Sequence, residues 1–174
     1  MVPRIEKLAL HLALLVAWVA MLGSLYFSEV RHYVPCTWCW YQRILMYPMA
    51  LFLAVGLLRR DEQLPYYSVV FSALGMAAST YHYLLQKTTW FSGAVACTAG
   101  VPCTTQYINW FGFVTIPFLA LIAFTLIFFA SVIVITSPEP VWDGNELDEK
   151  GASWVPVVAI IALVLLAFAS GFLM

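Results

Sequence analysis

Charge is what this chain has least of. Asp, Glu, Lys and Arg together make 10% of its 174 residues, and they nearly cancel to a formal net charge of −1. With no basic stripe to neutralise phosphates, a nucleic-acid partner is not expected. No internal repeat and no low-complexity tract divides the chain, so one compact bundle is the economical organisation. It carries no haem or flavin fingerprint. Cysteine is scarce too, four in all, yet the four fall into two close pairs.

What fills the chain instead is apolar surface. At 63% hydrophobic residues it lies outside the range of soluble domains, and its seven Trp and nine Tyr suit the aromatic belts of membrane interfaces. A helix needs roughly 20 mostly apolar residues to cross the hydrocarbon core. Candidate stretches run from about Ile5 to Phe27, Tyr41 to Leu58, Tyr66 to Gln86, Phe113 to Ile135 and Trp154 to Leu173. Arg4 and Lys7 precede the first run, which is too long for a signal-peptide core and reads as a retained span. Pro48 and Pro117 fall within apolar segments, where membrane helices tolerate them. The expectation is an all-α membrane protein. A four-helix transmembrane bundle would occupy residues 1–136, an acidic cytoplasmic loop 137–152, and an additional C-terminal transmembrane helix 153–174. The loop SPEPVWDGNELDEKG reads as solvated charge and nothing more.

Parity places the thiols. Cys36 and Cys39 follow the first span and Cys97 and Cys103 follow the third, so two crossings separate the pairs and both lie on one side. Arg4, Lys7, Arg59, Arg60 and Lys150 lie on the other side, against Arg31, Arg43 and Lys87 on the thiol side. Basic residues favour the cytoplasm, so the cysteines should face outward from the cell membrane, where disulfides persist. Four cysteines allow three connectivities, and all three stay open from sequence.

The stretch VPCTWCWYQR, residues 34 to 43, decides what kind of pair the first one is. Pro35 predicts a helix start among residues 35 to 41, which puts Cys36 and Cys39 where unpaired N–H groups and the helix dipole favour a thiolate. Arg43, four residues beyond Cys39, shares its helical face. Zinc is the rival occupant, but the interval between Cys97 and Cys103 exceeds the usual ligand spacing, and Trp38, Trp40 and Tyr41 crowd the first pair, so no metal is expected. A static staple is also poor, because closing so short a loop removes little chain entropy. Two outward-facing pairs suggest a relay of thiol–disulfide exchange, ending on an acceptor that reaches the bilayer rim, as a lipid-soluble quinone can.

CTWCWYQRILMYP, YHYLLQK at residues 81 to 87 and the pair in CTAGVPC together resemble the disulfide bond formation protein B (DsbB) family. The short second loop, followed by YINWFGFVTIP, is similar to the BdbC-type branch, over roughly residues 5 to 136. The resemblance implies a quinone-dependent oxidase, using ubiquinone or menaquinone, of a DsbA-like thioredoxin-fold partner. It implies four catalytic cysteines: Cys36 and Cys39 as the quinone-proximal pair, with Cys39 the thiolate that engages the ring, and Cys97 of the Cys97 and Cys103 pair as the one joined to the partner. Arg43, His82 and Gln86 would line the quinone site. The fifth span departs from the family pattern. Two alternatives remain: a quinone reductase of the vitamin K epoxide reductase type, in which the order of the pairs is reversed, and a membrane scaffold with static disulfides.

Overall fold

The computed structural model describes residues 5–89, 97, 101–138, 142 and 154–172, and the statements below concern these. Most of the acidic loop, the residues between Cys97 and Val101, Arg4, Lys150 and Leu173 lie outside them.

Five α-helices account for the architecture: α1 (Ile5–Leu25), α2 (Thr37–Arg59), α3 (Leu64–Lys87), α4 (Ile116–Thr136) and α5 (Trp154–Phe172). The protein is an all-α membrane protein. Three helical stretches, Ile5–Val30, Thr37–Arg59 and Ile116–Thr136, are long and apolar enough to cross a membrane. The other two expected spans differ for separate reasons. In α5 the apolar part, Trp154–Ser170, is short. In α3 the length is ample, but a buried stripe of Ser68, Ser72, Gly75, Ser79 and His82 lowers the hydropathy.

That stripe has a packing purpose. Apolar surface gives little drive for helices to associate in lipid, so close approach through small residues takes its place. Gly75 lies against Phe124 of α4, and a Cβ there would overlap the ring. The Ser68 and Ser131 hydroxyls donate back to the Leu64 and Ile127 carbonyls at 2.9 Å each, so neither costs an unsatisfied group. Ala9, Leu10, Ala13, Leu14 and Ala17 of α1 meet Met49, Ala50 and Leu53 of α2 and Phe124 and Ile127 of α4 in one core. Beyond it, α5 packs along α1, and Trp142 sits beneath Lys7, whose ammonium is 5.5 Å from the ring centre.

The ends near the cysteines depart from regular helix. Residues Tyr26–Val30 widen into a π turn, closed by the Arg31 N–H donating to the Tyr26 carbonyl at 3.1 Å. His32 takes a left-handed conformation, φ 54°, and the chain runs extended into Cys36. Cys36 is the N-cap of α2, its sulfur accepting from the Cys39 N–H, so the helix starts within the range expected from Pro35. Residues 110–114 form a tight turn instead of helix, with Phe111 and Gly112 at positive φ, and α4 therefore begins at Ile116, after the expected Phe113.

Candidate redox site

The end of α1, the start of α2, the end of α3 and the start of α4 meet at one end of the bundle, and all four cysteines lie there. Cys36, Cys103 and Leu85 form a small buried cluster, with Cys39, Cys97, Trp38 and Tyr81 packed against it. Cys97 and Cys103 form a disulfide, whereas Cys36 and Cys39 are free thiols. One of the three connectivities left open by the sequence is thus present, in a mixed state: the loop pair oxidised and the helix pair reduced.

The helix pair is built for a thiolate. The two sulfurs are 3.0 Å apart, and the Cys39 backbone N–H points at Cys36 Sγ from 3.4 Å. His82 Nε2 lies 3.5 Å from the same sulfur. The Cys39 S–H donor is the largest cause holding the Cys36 thiol down to about 4; His82 and the Cys39 N–H also lower it, and burial opposes them. These contacts favour a thiolate on Cys36, at the N-terminus of α2.

The second loop is tied to the end of α3. His82 Nε2 is 3.2 Å from the Cys103 carbonyl, and Gln86 Nε2 donates to the carbonyls of Cys103 and Thr105 at 3.4 and 3.0 Å. Gln106 returns a bond to the Gln86 carbonyl at 2.8 Å. Lys87 Nζ donates to Gln106, Asn109 and the Gly112 carbonyl at 3.3, 3.0 and 2.8 Å, pinning the turn. The two loops also hold each other. Tyr33 and Tyr107 stack with ring centres 4.6 Å apart, and the Tyr107 hydroxyl donates to the Val34 carbonyl at 3.0 Å.

On the other side of α2 lies an apolar cavity of about 510 Å³ among α1, α2 and α4. Its walls include Val16, Val19 and Ala20 of α1 and Leu119 and Ala123 of α4, while Cys39, Gln42 and Arg43 supply polar groups. Tyr33, Val34 and Tyr107 line the end beneath the loops. Arg43 reaches across to donate to the Ser24 carbonyl at 3.1 Å, its guanidinium 5.4 Å from the Trp40 ring centre, and the Tyr47 hydroxyl donates to Ser24 Oγ at 3.3 Å. The volume and the apolar walls with a few convergent polar groups suit a small amphipathic ligand.

Arg43, His82 and Gln86 were expected together at the acceptor, and the fold separates them. Arg43 lines the cavity with Cys39, while His82 and Gln86, at the end of α3, face the second loop and are not among the cavity's walls. Helix spacing placed His82 and Gln86 on one face of α3 without saying which neighbour that face meets. Gln42 was not singled out. It is an amide beside Arg43, one turn beyond Cys39, where a polar residue in a span normally turns inward, and it contacts His82 Nδ1 at 3.2 Å.

Comparison with known proteins agrees with this geometry. The family model for disulfide bond formation protein DsbB matches residues 6–134. The probable disulfide formation protein C of Halalkalibacterium halodurans is 55% identical over 135 residues, covering 78% of this chain and 98% of the relative. The disulfide bond formation protein C of Bacillus subtilis is 55% identical over 118 residues, covering 68% and 86%. A probable disulfide formation protein of Oceanobacillus iheyensis is 43% identical over 136 residues, covering 76% and 94%. No solved structure matches. The helix α5 lies outside the family match. The chain belongs to the DsbB family, and is a membrane thiol oxidoreductase of disulfide bond formation.

Proposed function

We propose that this member of the DsbB family takes two electrons from the dithiol of a DsbA-like, thioredoxin-fold partner outside the cell membrane and delivers them to a membrane quinone, ubiquinone or menaquinone. The observation that carries this reading is the division of the first pair. Cys39 lines the apolar cavity with Arg43, while Cys36 faces the loop disulfide. Residues 1–136 would form the oxidase unit, with the acidic loop 137–152 on the cytoplasmic side and 153–174 an added membrane helix.

Electrons then move by paired exchanges. A partner thiolate attacks Cys97, the Cys97–Cys103 bond breaks, and Cys103 leaves as a thiolate. The partner's second cysteine closes the partner's own disulfide and frees Cys97. Cys103 next attacks Cys36 of an oxidised Cys36–Cys39 pair, which releases Cys39 beside the cavity. Cys97 closes on Cys103 and expels Cys36 as a thiolate, where Cys39 and His82 receive its charge. That last product matches the state described above, with one disulfide and two thiols.

A quinone bound in the cavity supplies an acceptor for two electrons and two protons. The chain's part is to hold Cys39 at the cavity wall, to set the Arg43 cation beside it, and to reclose Cys36 on Cys39 as the pair is oxidised. Arg43, anchored on Ser24 and Trp40, favours negative charge building up in a dry site.

The test is reconstitution of the purified protein in lipid with a reduced thioredoxin-fold protein and each quinone in turn, following quinone reduction. Turnover by the native chain and none by Cys39→Ser is expected. Normal electron delivery by Cys39→Ser would refute the relay.

A further inference from the structure

His82 is 1% exposed and Gln42 6%, so every polar atom of this pair must find its partner inside the protein. The Cys103 carbonyl, 3.2 Å from Nε2, can only accept. The hydrogen therefore sits on Nε2, which is also the nitrogen 3.5 Å from Cys36 Sγ. In a ring with one proton the bare nitrogen is then Nδ1, and it meets the Gln42 side-chain amide, placed to donate at 3.2 Å. One imidazole N–H thus spans the sulfur of the first pair and the backbone of the second loop, and the Gln42 amide, donating to Nδ1, favours the same placement.

We propose that Gln42 is a positioning residue for the transfer between the two cysteine pairs: it fixes His82 in the Nε2–H tautomer, so that this hydrogen faces Cys36 sulfur and the Cys103 carbonyl together. The proposal deepens the relay described above and rests on it for its kinetic part. Its chemical logic lies in the step that breaks the Cys36–Cys103 bond. There Cys97 attacks Cys103, the Cys97–Cys103 bond forms, and the electron pair of the broken bond leaves on Cys36. An N–H already aimed at Cys36 stabilises that charge as it develops, with no ring rotation and no proton to relocate. The opposite tautomer would put a lone pair on Nε2 against the carbonyl oxygen and the sulfur, which repels both. Fixing a histidine's tautomer through a bond to its far nitrogen is a general device. Here the amide comes from α2, one turn past Cys39, so the helix that carries the thiols also orients the histidine beside them.

The experiment uses the full chain in lipid nanodiscs with ¹⁵N-labelled histidine, the His82 signals being assigned by their loss in His82→Ala. The expected spectrum shows a protonated Nε2 and a bare Nδ1, with Gln42→Met giving a mixture of tautomers. In single-turnover mixing with reduced partner, Gln42→Met should slow transfer from the loop pair to the helix pair about tenfold. A wild-type ring protonated at Nδ1 overturns the proposal whatever the variant does, and so does an unchanged tautomer in Gln42→Met. A raised quinone KM with an unchanged transfer rate would also overturn it, by placing Gln42's role in the cavity it borders. The tautomer reading does not involve quinone, so failure of the electron-acceptor assignment would show separately.

Discussion

The two sides of α2 are opposites. Toward α3 and the second loop the packing leaves a gap of only about 10 Å³ next to Cys36 and Cys39, and the contacts there are polar and specific. Toward α1 and α4 the same turns of helix border about 510 Å³ of apolar space with one cation at its rim. Thiol–disulfide exchange needs sulfurs brought into line at close range, and a tight polar wall holds them so. A lipid-soluble acceptor needs room and an apolar lining. In the proposed relay, two sulfurs three residues apart would let one helix serve both demands, because Cys36 caps the helix and Cys39 lies in its first turn.

The division can be broken most severely from the polar side. Cys103→Ser leaves Cys97 a free thiol that can attack the disulfide of an oxidised partner, so mixing with oxidised partner should give a mixed disulfide on Cys97 while the partner's other cysteine is released as a thiol, visible as a reductant-sensitive adduct on a gel. Failure to form any adduct would reassign the entry point for electrons. On the apolar side, Arg43→Ala should raise the apparent quinone KM about tenfold, roughly 1.4 kcal/mol, without altering adduct formation. An equal loss in both measurements would mean that the two sides are not separable.

A finer test follows Cys36 itself. Its thiol is depressed to about 4, so it is charged above that pH and protonated below it. Alkylation of Cys36 in the state with the loop disulfide intact should hold its rate through mildly acidic pH and fall only as pH drops through about 4. The Cys39 thiol is the chief donor and His82 a lesser one, so His82→Ala should move that fall to higher pH. Site-resolved mass spectrometry reads the profile, and identical limbs in both proteins would remove His82 from the thiolate's environment. The smallest effect belongs to Tyr107→Phe, which loses one hydrogen bond to the Val34 carbonyl. It should cost about 1 kcal/mol and lower Tm by about 2–4 °C, measured by thermal unfolding in detergent.

Parity over apolar runs brought the two cysteine pairs to one side, and the structure gathers them into one cluster. That inference works because crossing counts do not depend on helix rotation. The neighbours of His82 and Gln86 do depend on it, and on the course of the second loop, so linear spacing could not separate them from Arg43. Gln42 escaped for a related reason: its role appears only once α2 and α3 are side by side. The turn at 110–114 was likewise hidden, since Trp110, Phe111 and Phe113 read as apolar span until their backbone is seen to double back.

The stacked pair Tyr33 and Tyr107 bears on leakage. These rings line the cavity on the side where the loops lie, and in the proposed relay they would stand between the acceptor and the aqueous phase from which the partner comes. Electrons would then pass by way of sulfur, while a dissolved oxidant or small thiol would meet two stacked rings and a hydrogen bond. Under that relay the chamber would be insulated like the core of a cable, with stray water-borne redox chemicals kept from short-circuiting a current meant to flow from one protein into the lipid.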